Sequence, residues 1–176
     1  MTTQTGLTTQ TGLTLEVGQT VIYPRHGAVT VTAVTNRTVR DAAVQYVTLE
    51  VLNSRLTIQV PVAGLAGLGV RPIIDENQIG GLLAVLRAVA GSGATEASWT
   101  RRFKANTAKI GSRELSSVAE VFRDLVRRDS ERGISLGEKE MLSQATKLLA
   151  SEFALARGGT DGEAVELLRS EALQPA

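Results

Sequence analysis

The 176-residue sequence predicts an α+β protein of two domains, a small antiparallel β-barrel followed by an all-helical bundle. Residues 15–62 are short runs rich in Val and Thr, separated by turn residues, which is a strand pattern. From residue 75 to 174 apolar residues recur at intervals of three and four, which is a helix pattern. Between them Gly64, Gly67, Gly69 and Pro72 interrupt both periods and predict a connector over residues 63–74.

The elements follow in order. Thr-Thr-Gln-Thr-Gly-Leu occurs at residues 2–7 and again at 8–13. A polar repeat without an apolar face cannot offset its ordering entropy, so residues 1–14 are expected to be a flexible tail. Thr20-Val21-Ile22-Tyr23 reads as a strand running into the turn Pro24-Arg25-His26-Gly27, and Ala28 to Val39 as the next strand. Val44 to Leu52 and Leu56 to Val60 follow, joined through Asn53-Ser54-Arg55. So many short strands in so few residues are expected to curl into a barrel.

In the second domain Ile79, Leu82, Leu83 and Leu86 share one helical face, and Ala88 to Ala97, with Gly91 and Gly93, breaks it. Ser98 is positioned to cap a helix carrying Trp99, Phe103 and Ile110 on one stripe. Leu115, Val118, Phe122 and Leu125 mark a third helix, closed by Arg132-Gly133. Ser135-Leu-Gly-Glu138 is a capping box for a fourth, with Met141, Leu142, Ala145, Leu148, Leu149 and Phe153 inward and Gly158-Gly159 at its end. Thr160-Asp-Gly-Glu163 repeats the signal for a short fifth helix.

Composition and motifs exclude most chemistry. With no cysteine there is no disulfide, no thiolate zinc site and no cysteine nucleophile. Neither a phosphate-binding P-loop nor a dinucleotide glycine fingerprint is present. His26, the single histidine, reads as a turn or packing residue, and Glu138 and Glu140 as solvent-exposed carboxylates. The expectation is a non-enzymatic protein with no catalytic residues, no metal and no cofactor. No apolar run approaches the roughly 20 residues of a membrane helix. The opening Met-Thr-Thr-Gln-Thr-Gly-Leu is no signal peptide, so an intracellular, cytoplasmic location is expected.

The net charge of +1 conceals an asymmetry. Residues 98–128 hold eight basic and three acidic groups, whereas residues 129–176 hold five and nine. Such a stretch points either to a localised anionic partner or to a solvated helix face. Trp99 heads it in Ser-Trp-Thr-Arg-Arg-Phe-Lys-Ala-Asn. An indole beside cations suits contact with nucleic acid through backbone charge and a base step together, while the stripe with Phe103 suits a core position. Both readings are open on spacing alone.

Four separated segments carry a resemblance: Val17-Gly-Gln-Thr-Val-Ile-Tyr-Pro-Arg-His-Gly27; Tyr46 to Pro61, ending Leu-Thr-Ile-Gln-Val-Pro; Trp99-Thr-Arg-Arg-Phe-Lys-Ala-Asn106; and Val118 to Lys139. Together they resemble the CarD/CdnL family of bacterial transcription regulators over about Leu15 to Ala156. The resemblance implies a Tudor-like barrel that binds the RNA polymerase β subunit and a helical domain at the upstream edge of the transcription bubble. It implies that Trp99 stays exposed and wedges into the minor groove, with Arg101, Arg102 and Lys104 at the DNA backbone. On the barrel it implies polymerase contacts from Arg37 and Val39. Some members carry an arginine where this chain has Gln59, which removes one cation from the expected polymerase-binding set Arg37, Val39 and Gln59. The expected protein is a monomer that reaches the nucleoid through RNA polymerase and stabilises the open promoter complex without reading a defined sequence. The alternative from another class is a protein–protein adaptor whose basic helix meets an acidic surface and whose Trp99 is buried.

Overall fold

A computed structural model describes residues 6–8, 14–24, 26–52, 54–89, 98–112 and 114–174. The expected helix break at Gly91 and Gly93 lies outside the described residues, as do Arg25, Asn53 and residues 1–5 and 9–13 of the repeat. The chain divides into two compact units, Met1–Ile73 and Ile74–Ala176. The first is built on strands and the second on helices, so the α+β class is as the sequence predicts.

In the first unit β1 (Gly6–Thr8) pairs antiparallel with β2 (Thr14–Glu16). The expectation of a flexible tail is therefore corrected over residues 6–8, where Leu7 stands opposite Leu15 in the ladder. Local apolar periodicity undervalued this segment: a Thr-rich strand gains backbone hydrogen bonds from its partner whatever its own sequence buries. The partner is anchored, since Leu15 is fully buried.

The main sheet comprises β3 (Thr20–Tyr23), β4 (Gly27–Val39), β5 (Ala42–Val51), β6 (Thr57–Pro61) and β7 (Arg71–Pro72), all antiparallel, in the order β6-β5-β4-β3-β7. It is an open sheet, as β6 and β7 do not pair. The connector explains why. After β6 the chain enters a short 3-10 turn, Val62–Gly64, and then sets Leu65 and Val70 into the core beside Val21, Val31, Val47, Leu49 and Val60. Apolar cover thus takes the place of a closing ladder, and β7 is only two residues long.

Register decides which side chains face that core. Val29, Val31 and Val34 are all buried although the last is out of step with a two-residue period. A bulge between Val31 and Ala33 absorbs the extra residue and returns Val34 to the core side. The same bulge sets the outward face downstream: Thr35, Arg37 and Val39 stand opposite Tyr46, Val44 and Ala42. The β4–β5 turn is a two-residue loop, Arg40-Asp41, with φ of 50° and 62°. That conformation suits a right-twisted hairpin but disfavours residues with a Cβ.

In the second unit α1 (Glu76–Arg87), α2 (Trp99–Ser112), α3 (Leu115–Arg132), α4 (Leu136–Arg157) and α5 (Asp161–Leu173) form the bundle. The capping boxes expected at Ser135/Glu138 and Thr160/Glu163 are both formed, and Asp75/Gln78 makes a third at α1. Gly133 and Gly158 end α3 and α4 with φ of 76° and 70°. Helix α3 packs against all four others and buries Val118, Ala119, Val121, Phe122, Leu125 and Val126.

Candidate functional site

Trp99 opens α2 and is 46% exposed, which leaves the indole neither in the core nor free of the protein. One turn on, Phe103 stacks beneath it with ring centroids 4.9 Å apart and planes 30° apart. The indole Nε1–H donates to the Ser135 hydroxyl at 3.3 Å. Ser135 is the N-cap of α4, and its Oγ also accepts the Glu138 backbone N–H at 3.3 Å and donates to Glu138 Oε2 at 2.9 Å. One donor and two lone pairs are all a hydroxyl has, so the side chain is saturated. Gly137, two residues on, lies close to that ring: an added Cβ would stand 3.0 Å from Phe103 Cε2, so the ring would have to shift by a few tenths of an ångström.

Glu138 is 4% exposed, which corrects its reading as a solvent-facing carboxylate. Its Oε2 accepts from Ser135 N–H at 3.0 Å, and its Oε1 lies 3.7 Å from Arg102 Nη2 and 3.8 Å from Arg128 Nε. Burial alone would raise its pKa. The Ser135 donors and the charges of Arg128 and Arg102 outweigh burial and hold the carboxyl below its ordinary value. An acid that must be buried to cap α4 is thereby kept ionised.

That arrangement revises the basic stretch. Arg102, expected at the DNA backbone, is 8% exposed and turned toward Glu138, so it does not present its guanidinium to solvent. Arg123 is buried and donates to Asp124 Oδ1 at 2.7 Å and to the Val85 carbonyl at 2.9 Å. Arg127 donates to the carbonyls of Leu86, Ala88 and Ala172 at 2.6–2.9 Å, satisfying groups that the ends of α1 and α5 leave open. Lys109 pairs with Glu120 at 2.6 Å. Arg101 and Lys104 are exposed, and Arg113 lies outside the described residues. Most of the charge excess is therefore internal wiring of the bundle. Leu136, apolar and well exposed beside Ser135, is a surface feature the sequence reading did not single out.

On the sheet, register brings the expected partner-binding residues to one face. Arg37 and Val39 alternate outward on β4, and Gln59 on β6 stands opposite Thr48, on the same side of β5 as Tyr46. All three are exposed, Val39 by 41%. The Arg37 guanidinium lies over the Tyr46 ring, 5.3 Å from its centroid. Tyr46 is the addition: it limits the conformations of a cation that would otherwise be a free surface arginine.

Two domain descriptions fit this pair of units. Residues 15–74 match the CarD-like/TRCF RID domain, and residues 81–169 match the CarD C-terminal domain. The chain belongs to the CarD family. "Putative transcription factor YdeB" of Bacillus subtilis (strain 168) is 29% identical over 141 residues, covering 80% of this chain and 91% of that protein. This CarD-family chain is a transcription regulator. Among the described residues no helix is long and apolar enough to cross a membrane, and no group of His, Asp and Glu is placed to hold a metal ion.

Proposed function

We propose that this protein docks on the RNA polymerase β subunit through the Arg37, Val39 and Gln59 face and stabilises the open promoter complex through Trp99. The observation that carries the reading is a half-exposed indole, held by Phe103 and Ser135, at the head of a helix that contains no acidic residue. Insertion of an apolar side chain at a minor-groove step offsets the cost of unstacking only where the DNA is already opening. The sheet unit supplies local concentration, and the helical unit adds a contact that favours the open state. Arg101 and Lys104 meet phosphates, while Arg102 acts from behind by holding Glu138. With few phosphate contacts and no base readout, affinity for free duplex is weak and salt-dependent. The adaptor alternative needs a buried Trp99, and nothing favours it.

The test compares Trp99→Ala with Arg37→Glu in transcription with a bacterial polymerase. Trp99→Ala keeps polymerase binding and shortens the open-complex lifetime. Arg37→Glu loses recruitment, because like charge meets an acidic polymerase surface, and keeps its weak DNA affinity. Equal activity of both variants and wild type would sink the proposal.

A further inference from the structure

We infer that Ser135 is a positioning residue for the Trp99 wedge, and that the α3–α4 corner fixes the indole before DNA arrives. The inference rests on the wedge reading of Trp99 and deepens it. Capping α4 needs only one lone pair of the Ser135 hydroxyl, the one that accepts the Glu138 N–H. The second lone pair accepts the Trp99 indole N–H, 36 residues away in sequence and on another helix. That bond does nothing for the cap. What it does is remove a rotational freedom from a half-exposed aromatic side chain.

Two further contacts support the same pose. Phe103 stacks on Trp99 and is itself seated against Gly137, where an added methyl would stand 3.0 Å from the ring edge. Glu138, anchored by Arg102 and Arg128, accepts a hydrogen bond from the Ser135 hydroxyl and so turns that hydroxyl's lone pairs toward its two donors. The indole is thus restrained at its nitrogen and on one face, leaving the rest of the ring system for a partner. Ordering a side chain in advance spares that cost at the moment of binding.

The experiment separates positioning from capping. Glycine at an N-cap costs a helix only a few tenths of a kcal/mol; Ser135→Gly removes the indole's acceptor and one donor to Glu138, which the Ser135 backbone N–H, Arg102 and Arg128 still hold. Ser135→Thr restores the hydroxyl. Gly137→Ala favours the helix by propensity but forces Phe103 to move, so it disturbs the platform without weakening the cap. Trp99 is the only tryptophan, and its time-resolved anisotropy in the full chain reads its own mobility.

The expected result is a larger fast-motion amplitude and an open-complex lifetime about three- to tenfold shorter in Ser135→Gly, the worth of one neutral hydrogen bond. Ser135→Thr recovers both, Gly137→Ala shortens the lifetime without lowering the thermal midpoint, and polymerase binding is unchanged throughout. Wild-type lifetime in Ser135→Gly and Gly137→Ala, with Trp99→Ala still impaired, overturns the inference and leaves the wedge standing. Wild-type lifetime in Trp99→Ala overturns the wedge itself. A collapse of the thermal midpoint in Ser135→Gly shows the hydroxyl to be structural and also overturns the inference.

Discussion

Replacing Arg102 by alanine distinguishes a phosphate contact from an internal prop. The Arg102 side chain is 9% exposed and the Glu138 side chain 5%, with 3.7 Å between their charged atoms. Removing one partner of a buried pair costs roughly 3–5 kcal/mol because the other charge is left uncompensated. Here Arg128 stays 3.8 Å from the same carboxylate and Ser135 still donates to it, so the expected loss is smaller, about 2–3 kcal/mol. In a unit spanning Ile74–Ala176 that lowers the midpoint of the helical transition by roughly 10–20 °C. The matched control is Lys104→Ala, at an exposed site, which changes stability by less than about 0.5 kcal/mol. Duplex binding reverses the order. Lys104→Ala reduces the slope of log K against log salt by about 0.9, the release of one counterion, and Arg102→Ala leaves the slope unchanged below its melting temperature. The measurements are calorimetry and a salt series of fluorescence titrations with a duplex. An Arg102→Ala protein that melts like wild type while losing salt dependence would refute the internal role.

Three further outcomes are expected. The Glu138 carboxyl sits below its ordinary pKa, so its contribution is complete above that value and is lost as pH falls beneath it; Glu138→Gln therefore flattens the acid limb of the stability–pH curve, measured by urea unfolding from pH 6 to 3. Deleting residues 2–13 removes β1, so amide exchange at Leu15 accelerates and the sheet unit loses about 1 kcal/mol; unchanged exchange would return the segment to the status of a tail. Arg40→Asn with Asp41→Gly relieves two positive-φ residues at the β4–β5 turn and raises the thermal midpoint, with a gain of about 1 kcal/mol and no effect on duplex affinity.

The helices were legible because their signals are local. Ser135/Glu138 and Thr160/Glu163 announce helix starts within four residues, and Gly133 and Gly158 announce ends. Strand order and closure were less so. The alternation of Val and Thr marks strands 20–23 and 27–39, but whether a sheet closes depends on what covers its open side. Leu65 and Val70 do that from a segment whose glycines read as a mere connector. The pairing of residues 6–8 with 14–16 was missed because each strand is only three residues long, too short to show a two-residue period.

For the site, the sequence pattern singled out the lone Trp99 at the start of a basic helix, whereas Arg37, Val39 and Gln59 entered only through the family resemblance. Residue type and helical period suffice for Trp99, since they are properties of the chain within a few residues. Tertiary structure decided which of them face outward together. It turned Arg102 inward to Glu138, spent Arg123 and Arg127 on helix ends, and left Lys104 and Arg101 at the surface. It placed Tyr46 under Arg37 through a bulge at residues 31–33, and Ser135 against Trp99 across 36 residues. Charge counted along a chain cannot tell a cation that meets solvent from one that meets a buried carboxylate or carbonyl, because that difference depends on desolvation and on partners distant in sequence.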